Sequence, residues 1–282
     1  MHSRLSTRRA FLYVVIAAIA WGTGGPTGAL LTQHAGLTPT ATSFWRLTTA
    51  ALWLALARRL SGRGAARPHF TATPLRHLFS GAGLALCQLG YFIAIPRVGV
   101  GIATVIALGA APILITLATR ERLTKSILVA LIGLTLLTFT TGQANLTGVA
   151  AALASAAGYS ATTILNRHTP DPLTTAFLGF LVGAAFLLPF AALPTTPLGW
   201  LLIAYFGLIP TALAYTLFYT GLRALETSTA SVVALLEPVV ATAIGVALFN
   251  QHPTTMSLVG GGVLLLAITQ SHSDARPSAD DL

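Results

Sequence analysis

The sequence predicts an all-α polytopic membrane protein with ten transmembrane helices, arranged as two inverted five-helix repeats. The first observation is composition: 54% of the 282 residues are hydrophobic and only 8% are charged. Soluble domains carry about 25% charged residues, so water cannot cover most of this surface. The second observation is a series of apolar windows along the chain, and the third is a pattern shared by its two halves.

The apolar windows follow one another from near the N-terminus almost to the C-terminus. Most are long enough to cross a hydrocarbon core of about 30 Å as a helix. Arginine-rich, proline-rich or other polar segments separate them, which favours helix ends there. The predicted spans are 11–31, 40–57, 77–96, 100–119, 126–141, 147–165, 173–193, 199–221, 229–249 and 254–270.

Basic residues indicate how these spans are oriented. With the N-terminus inside, 14 of the 16 lysines and arginines fall in inside segments. Only Arg97 falls outside, and Arg46 lies within a span. Cytoplasmic loops carry such an excess, so we predict that both termini are cytoplasmic. Arg8 and Arg9 resemble a twin-arginine export signal, but the spans that follow favour a cytoplasmic anchor.

Composition also excludes several classes of function. The net charge of +9 could suggest a nucleic-acid partner, but the basic residues form short clusters without interleaved aromatic residues. The chain contains one cysteine, and its histidines make no metal-ligand spacing. It contains no phosphate-binding GxxxxGK[ST] loop. We therefore expect no nucleic acid, metal, cofactor or ATP hydrolysis.

The two halves of the chain carry similar residues at corresponding positions. A shift of 126 residues places Phe92 on Phe218, Arg97 on Arg223 and Pro112 on Pro238. Because five spans is an odd number, the second copy is upside down relative to the first, unless the match between apolar sequences is accidental. The predicted parts are an N-terminal tail at 1–10, repeats at 11–141 and 147–270, an inter-repeat loop at 142–146 and a tail at 271–282.

Two charges stand out because they lie within predicted spans. Glu237 precedes Pro238 in the ninth span, and Arg46 lies in the second. A charge in hydrocarbon usually faces a partner or a wet cavity. Their predicted depths differ by roughly 6 Å, which allows a pair. Such a pair would either be a structural ion pair between helices or be broken by substrate or by protonation of Glu237. Alternatively, Arg46 extends outward to the interface and does not meet Glu237.

Polar and aromatic residues within the spans are further candidates for lining a substrate path. Thr211, Tyr215 and Tyr219 share one helical face. Such linings suit small amphipathic metabolites, although helix packing or interfacial anchoring also explains each residue singly. The full set is Trp21, Thr23, Trp45, Gln88, Tyr91, Tyr159, Thr211, Tyr215 and Tyr219. Residues 22–26, Gly-Thr-Gly-Gly-Pro, should also weaken the first helix near mid-membrane.

Several motifs resemble those of the drug/metabolite transporter superfamily, EamA type. The resemblance extends over about residues 11–270. The matching stretches are Ala20-Trp21-Gly22-Thr23, Phe44-Trp45-Arg46-Leu47-Thr48-Thr49-Ala50, Phe206 to Tyr215, Ser228-Thr229-Ala230-Ser231 and Leu236-Glu237-Pro238. The first repeat departs from this pattern, because it has Ala111 where Glu237 stands in the second. The second repeat has Asn250 near the position of Glu121.

The resemblance implies a transporter of the cell inner membrane. The resemblance implies export or uptake of amino acids or related amphipathic compounds, and we expect export by alternating access around a central cavity. The expected partners are a small-molecule substrate, the lipid bilayer and protons, with the chain a monomer or a homodimer. An intramembrane enzyme is the first alternative, although the spans hold no converging catalytic set. A non-transporting membrane scaffold is the second.

Overall fold

The computed structural model describes residues 5–61, 74–138 and 145–274, and all regular secondary structure in these segments is helical. This confirms the predicted all-α class. Several predicted features lie outside the described residues, namely Arg4, Arg63, Arg67, Arg276, most of the 142–146 loop and the ends of both tails. The described helices begin and end at or near the borders of the apolar windows.

Twelve α-helices occur in the described segments. Helix α7 continues into a 3₁₀ turn at Leu188–Phe190, and a π-helical segment at Leu208–Leu213 joins α8 to α9. The helices are α1 Thr7–Gly22, α2 Gly24–Ala35, α3 Pro39–Leu60, α4 Pro74–Thr119, α5 Lys125–Leu137, α6 Leu146–Asn166, α7 Pro172–Leu187, α8 Pro197–Gly207, α9 Ala214–Gly221, α10 Thr227–Ala234, α11 Leu236–Phe249 and α12 Thr255–Asp274.

Local chemistry explains many of these boundaries. Thr38, Asp171 and Thr196 each accept a backbone N–H in the first turn of a helix, and a proline follows each of them. Proline is favoured at this position because the first helical N–H groups have no intrahelical partner. At the other end, α2 stops at Gly36 and α11 stops at Asn250, both with left-handed backbone.

Several helices have the length and polarity of membrane spans, whereas α3, which corresponds to the second predicted span, is not among them. Six in the described segments can cross a bilayer: Thr7–Ala35, Leu75–Thr119, Leu146–Asn166, Pro172–Phe190, Pro197–Gly221 and Thr227–Phe249. Shorter apolar helices occur at Lys125–Leu137 and Thr255–Ser271. Large side chains such as Leu52, Leu201 and Leu248 are more than 60% exposed, as expected of groups that face lipid. The chain is a multi-pass membrane protein.

Helix α4 includes an internal break. Gly99 has φ 81° and ψ 158°, a conformation that L side chains rarely adopt. It separates the parts of α4 that correspond to the predicted windows 77–96 and 100–119. Helix α12 continues to Asp274, into the segment predicted as the C-terminal tail, and α1 begins at Thr7 within the predicted N-terminal tail.

Close backbone contacts hold the helices together. A Cβ atom on Gly158 of α6 would lie 2.7 Å from the Cys87 nitrogen of α4, and one on Gly90 would lie 2.6 Å from the Ala151 carbonyl. Small residues permit such an approach in membranes, where packing drives helix association. The largest buried cluster is formed mainly by α1, α3, α7, α9 and α10, and it surrounds the candidate site.

Candidate functional site

Three interrupted helices meet inside the bundle. The first interruption, at Thr23, separates α1 from α2, and another, at Leu235, separates α10 from α11. The third is the π-helical segment between α8 and α9. A Cβ atom on Gly22 would lie 2.9 Å from the Glu237 carbonyl oxygen, and one on Gly24 would lie 3.2 Å from the Phe206 ring. The break in the first span therefore packs against the other two.

Arg46 is held by the π-helical segment. Its Nε donates to the Thr211 hydroxyl at 2.9 Å, and its Nη2 donates to the Pro210 carbonyl at 3.3 Å. Its guanidinium carbon lies 4.9 Å from the centre of the Phe206 ring, which is cation–π distance. These contacts hold the cation inside the bundle.

The missing N–H of Pro210 explains why the Thr211 hydroxyl can accept a hydrogen bond from Arg46. Pro210 has no N–H, so the Phe206 carbonyl lacks its usual helical donor. The Thr211 hydroxyl replaces that donor and binds the Phe206 carbonyl at 2.7 Å. Its lone pairs are then free to accept from Arg46. Rare π segments of this kind often occur at functional sites.

Glu237 lies in the first turn of α11 and is partly exposed to a small cavity. The cavity has a volume of about 10 Å³, close to the room that one water molecule needs. Its lining comes from α4, α6, α10 and the break before α11, and consists of Leu108, Tyr159, Ser231, Ala234, Leu235 and Glu237. The carboxylate thus faces a space shared by both halves of the chain.

Arg46 and Glu237 lie within electrostatic reach of each other. Among the described residues no ion pair joins them, because the Arg46 donors are directed at Thr211 and Pro210. The two opposite charges are therefore not paired, although both lie near the meeting point of the three interrupted helices. Tyr91, Tyr159 and Tyr215 are also within electrostatic reach of the Glu237 carboxylate.

An aromatic cluster adjoins these charges. The Trp21 ring centre is 5.0 Å from those of Tyr215 and Phe218. Tyr215 in turn makes edge contacts with Phe180 at 5.3 Å and Tyr219 at 5.8 Å. Edge-to-face contacts of this kind favour a fixed arrangement of the rings.

Some polar atoms in this cluster are buried without a hydrogen-bond partner. They are the indole nitrogen of Trp21 and the hydroxyl groups of Tyr159 and Tyr219. Buried polar groups usually have partners, because an unmade hydrogen bond destabilises the folded state. Because each of these atoms is inaccessible, a ligand reaches them only when the surrounding helices separate.

The other predicted residues lie around or outside this region. The Thr23 hydroxyl accepts from the Tyr205 hydroxyl at 3.0 Å, and the Tyr91 hydroxyl lies 2.8 Å from that of Thr104. Gln88 is half-buried on α4. Trp45 donates to the Ala192 carbonyl at 2.7 Å in the connection that follows α7. Trp45 is thus placed at an end of the bundle.

The sequence analysis did not single out four residues at the site. Phe206 covers Arg46, Leu108 and Ser231 line the Glu237 cavity, and Cys87 is within electrostatic reach of both charges. Phe206 had a usable signal, since it lies four residues before Pro210 and owns the carbonyl that proline leaves without a donor. Ser231 belongs to a stretch that matches the family, whereas Leu108 and Cys87 carry no sequence signal that distinguishes them from packing residues.

Together these features define a multi-pass helical membrane protein with a polar site enclosed by interrupted helices. The chain is 30% identical over 275 residues to the uncharacterized transporter YwfM of Bacillus subtilis (strain 168), with 91% of each chain covered. It is 27% identical to the uncharacterized transporter YxxF of the same organism, over 97% of this chain and 94% of that one.

A solved crystal structure has the same fold, with a TM-score of 0.78 over 95% of this chain and 99% of that chain, at 22% identity. The model of the EamA-like transporter family matches residues 144–270. The chain belongs to the EamA-like transporter family, which confirms the family resemblance predicted from its motifs. Family and relatives point to a transporter rather than an enzyme.

Proposed function

We propose that this protein transports small metabolites, either amino acids or related amphipathic compounds, out of the cell across the inner membrane. The observation that supports this most is the meeting of three interrupted helices around Arg46 and Glu237. Transporters use discontinuous helices near the bilayer midplane to present helix ends and charged groups to a substrate.

Ten crossings and an inverted repeat are part of this proposal. The break at Gly99 divides α4 into two segments, and the other helices correspond to the remaining predicted windows. The repeat has local support as well. The Thr116 hydroxyl donates to the Pro112 carbonyl at 2.6 Å, and the Thr242 hydroxyl donates to the Pro238 carbonyl at 2.8 Å. These pairs coincide under the shift of 126 residues.

The site would bind a molecule that is partly apolar and partly charged. Trp21, Phe218 and the tyrosines offer ring surfaces, while Arg46 and Glu237 supply one charge of each sign. A few polar groups in an apolar pocket favour small amphipathic ligands. In the proposed cycle the two halves rock about this site, without ATP hydrolysis. Glu237 also serves as the proton carrier in this proposal.

Flux in proteoliposomes tests the proposal. Purified protein would be reconstituted and preloaded with candidate amino acids, amines, carboxylates and purines, and the uptake of a labelled copy would be followed. We expect saturable counterflow for at least one compound and a change in its rate under an imposed pH gradient. Binding without any flux would favour a non-transporting scaffold, and flux that ignores the pH gradient would remove proton coupling.

A further inference from the structure

Two residues that line the small cavity beside Glu237 each lie four positions before a proline. Leu108 of α4 precedes Pro112, and Ala234 of α10 precedes Pro238. Because proline has no N–H, the carbonyls of Leu108 and Ala234 lack their usual helical donors. The two positions coincide under the shift of 126 residues. Each half of the chain therefore contributes a carbonyl without its helical donor to the residues around one cavity.

Helix α10 ends at the same cavity, and its last turn leaves a further carbonyl without the usual donor. The Leu235 N–H donates to the Val232 carbonyl at 3.0 Å instead of to the Ser231 carbonyl, which lies four residues before it. Ser231, Ala234 and Leu235 all line the cavity. Carbonyls at a helix C-terminus form the negative end of the helix dipole. Interrupted helices of membrane transporters bind cations at such ends.

The hydroxyl groups around the cavity have lone pairs to offer. The Ser231 hydroxyl donates its hydrogen to the Ser228 carbonyl at 2.7 Å. The Tyr159 hydroxyl is buried and makes no hydrogen bond of normal geometry. Its polar neighbour is Thr163, whose hydroxyl donates to the Tyr159 carbonyl at 2.8 Å and can therefore only accept from the Tyr159 hydroxyl. Both lining hydroxyls thus keep lone pairs for a ligand.

Glu237 adds a negative charge to this cavity. Arg46 is within electrostatic reach, but its donors are directed at Thr211 and Pro210, and no ion pair joins Arg46 to Glu237 in the described segments. An ionised carboxylate only accepts hydrogen bonds, and a charge within a membrane needs a partner. One carboxylate balances one positive charge, and the nearby Arg46 opposes any further cation.

A cation satisfies these groups better than a water molecule does. Water would donate two hydrogen bonds, but it would find few donors for its own lone pairs, whereas a cation needs acceptors alone. The volume of about 10 Å³ suits a single ion without its hydration shell. Mg²⁺ gives up its water reluctantly, and Ca²⁺ takes about six to eight oxygen ligands. The single carboxylate therefore favours a small monovalent cation.

We propose that this cavity binds one Na⁺ ion. The ligands are the Glu237 carboxylate, the hydroxyl oxygens of Ser231 and Tyr159, and the carbonyl oxygens of Leu108 and Ala234. K⁺ is larger and fits this cavity less well. The expectation of no metal rested on histidine and cysteine spacing, which does not report a site of hydroxyl and carbonyl oxygens.

The role of the ion in transport rests on the proposed function, whereas its binding does not. Leu108 belongs to the proposed first repeat, and the other ligands belong to the second. Movement of the two halves would therefore assemble and separate the ligand set. Because the Tyr159 hydroxyl is inaccessible, the ion enters and leaves when the helices move apart. In the proposed cycle, Na⁺ takes the place of the proton on the Glu237 carboxylate.

Binding of radiolabelled Na⁺ to the full-length protein in phosphatidylcholine nanodiscs tests the site. The ionic strength would be kept constant with choline chloride, and unlabelled Na⁺, K⁺ and choline would be compared as competitors. We expect saturable binding of one ion per chain, which K⁺ displaces at least about tenfold less effectively than Na⁺. The proposal would be overturned by the absence of saturable binding, or by equal displacement with Na⁺ and K⁺.

Variants then assign the ion to this cavity. Glu237→Gln should weaken Na⁺ binding by at least about tenfold, because the ion loses its counter-charge. Glu226→Gln changes an exposed acid before α10 and is the matched control, with affinity within about twofold of wild type. Ser231→Ala and Tyr159→Phe should each weaken binding several-fold, and they keep the test decisive if Glu237→Gln does not fold. Wild-type affinity in these site variants would exclude the cavity.

Two prolines of α4 test the carbonyl ligands. Pro112→Ala supplies an N–H for the Leu108 carbonyl, so it should weaken Na⁺ binding several-fold although the carboxylate is intact. Pro96→Ala is the matched control, because Pro96 also lies inside α4 and leaves the carbonyl of Phe92, which does not line the cavity, without a donor. Equal effects of the two substitutions would indicate a general change in α4 and contradict the proposed ligand set.

The flux assay distinguishes this inference from the proposed function. An imposed Na⁺ gradient should change the rate of counterflow in proteoliposomes of the wild type. Na⁺ binding that depends on Glu237 but is accompanied by no flux would preserve the site and remove the transport proposal. Flux by a protein that binds no Na⁺ would preserve transport and remove the site.

Discussion

In the proposed repeat, the Glu237 carboxylate is an asymmetric element. The proposed register aligns Pro112 with Pro238, and a threonine hydroxyl binds the carbonyl of each proline. The residue before the proline is Ala111 in the proposed first repeat and Glu237 in the proposed second. The proline and threonine thus belong to the shared helix geometry, and we assign the charge-dependent role to the carboxylate alone.

Neutralising Glu237 should therefore impair transport more than folding. Glu237→Gln keeps the shape of the side chain and removes its charge. We expect the initial flux of the substrate found by counterflow to fall by at least about tenfold, as when a charged hydrogen-bond partner is lost. The measurement is initial flux in proteoliposomes. Glu226→Gln, which changes an exposed acid before α10, is the control. Equal flux by both variants would remove Glu237 from the mechanism.

Helix interruptions decide what these residues can contact. Each of the three breaks contains or adjoins a feature that disrupts regular hydrogen bonding: Thr23 in a glycine-rich stretch, Pro210 in the π-helical segment, and Pro238 just after Leu235. Such breaks are tolerated in a membrane where neighbouring groups satisfy the backbone. Here the Thr211 hydroxyl donates to the Phe206 carbonyl just before the π-helical segment, and Arg46 donates to the Pro210 carbonyl within it.

The contact between the first break and α11 can be tested at Gly22. A Cβ atom there would lie 2.5 Å from the Val240 Cβ, so Gly22→Ala must push α1 away from α11. We expect a loss of roughly 1–3 kcal/mol in the free energy of unfolding, seen as a lower Tm. Gly28→Ala in α2 meets open space and should leave Tm unchanged or raise it slightly. A Gly22→Ala variant as stable as Gly28→Ala would contradict the close packing.

A second test concerns the link between the two halves outside the membrane core. Glu121, in the connection after α4, accepts the backbone N–H groups of Thr227 at 3.2 Å and Ser228 at 2.8 Å at the start of α10. Burial by itself would raise the pKa of the Glu121 carboxyl, but the hydrogen bonds from Ser228 and Thr227 hold this pKa below its ordinary value. The carboxylate acts as an N-cap of α10 that the connection after α4 supplies.

Glu121→Gln should lower the free energy of unfolding by about 1 kcal/mol at neutral pH, as for other lost N-caps. Because the folded-state pKa is depressed, the stabilisation is complete above the ordinary value of 4.5 and is lost as pH falls below it. The Tm difference between wild type and variant should therefore shrink on acidification from pH 7. Glu226→Gln provides the control, and a difference independent of pH would indicate that the carboxylate charge is not responsible.

At the scale of the whole molecule, the proposed topology places both termini and the arginine-rich connections in the cytoplasm. The connection after α9 contains Arg223, and the one between α7 and α8 contains Leu193, which is 71% exposed. One span separates the two positions in the proposed ten-span topology. They should lie on opposite sides of the membrane.

Cysteine labelling tests this arrangement. In a Cys87→Ala background, Leu193→Cys should react with a membrane-impermeant maleimide added to spheroplasts, and Arg223→Cys should react only after the membrane is permeabilised. The physical reason is the strong preference of arginine-rich connections for the cytoplasm. The reverse pattern would invert the topology, and equal labelling of both positions would contradict the single crossing between them.

Much of the fold follows from local sequence because apolar length and proline position act within one segment. Pro39, Pro172 and Pro197 each begin a helix, and residues 22–26 coincide with a break. Less of the candidate site could be predicted from the sequence. Sequence identified Arg46, Glu237 and Thr211 as unusual polar groups in apolar spans, but helical spacing alone could not show that Arg46 binds Thr211 rather than Glu237.

The sequence by itself determined the class of protein, the family and the charged residues that interrupt apolar windows, because hydropathy and motif spacing are properties of the chain alone. Only the tertiary structure decided the surroundings of each side chain. It placed Trp45 beside Ala192 at a bundle end and directed the Arg46 donors to Thr211 and Pro210. The reason is that burial depends on how helices distant in sequence rotate and pack, and no single segment contains that information.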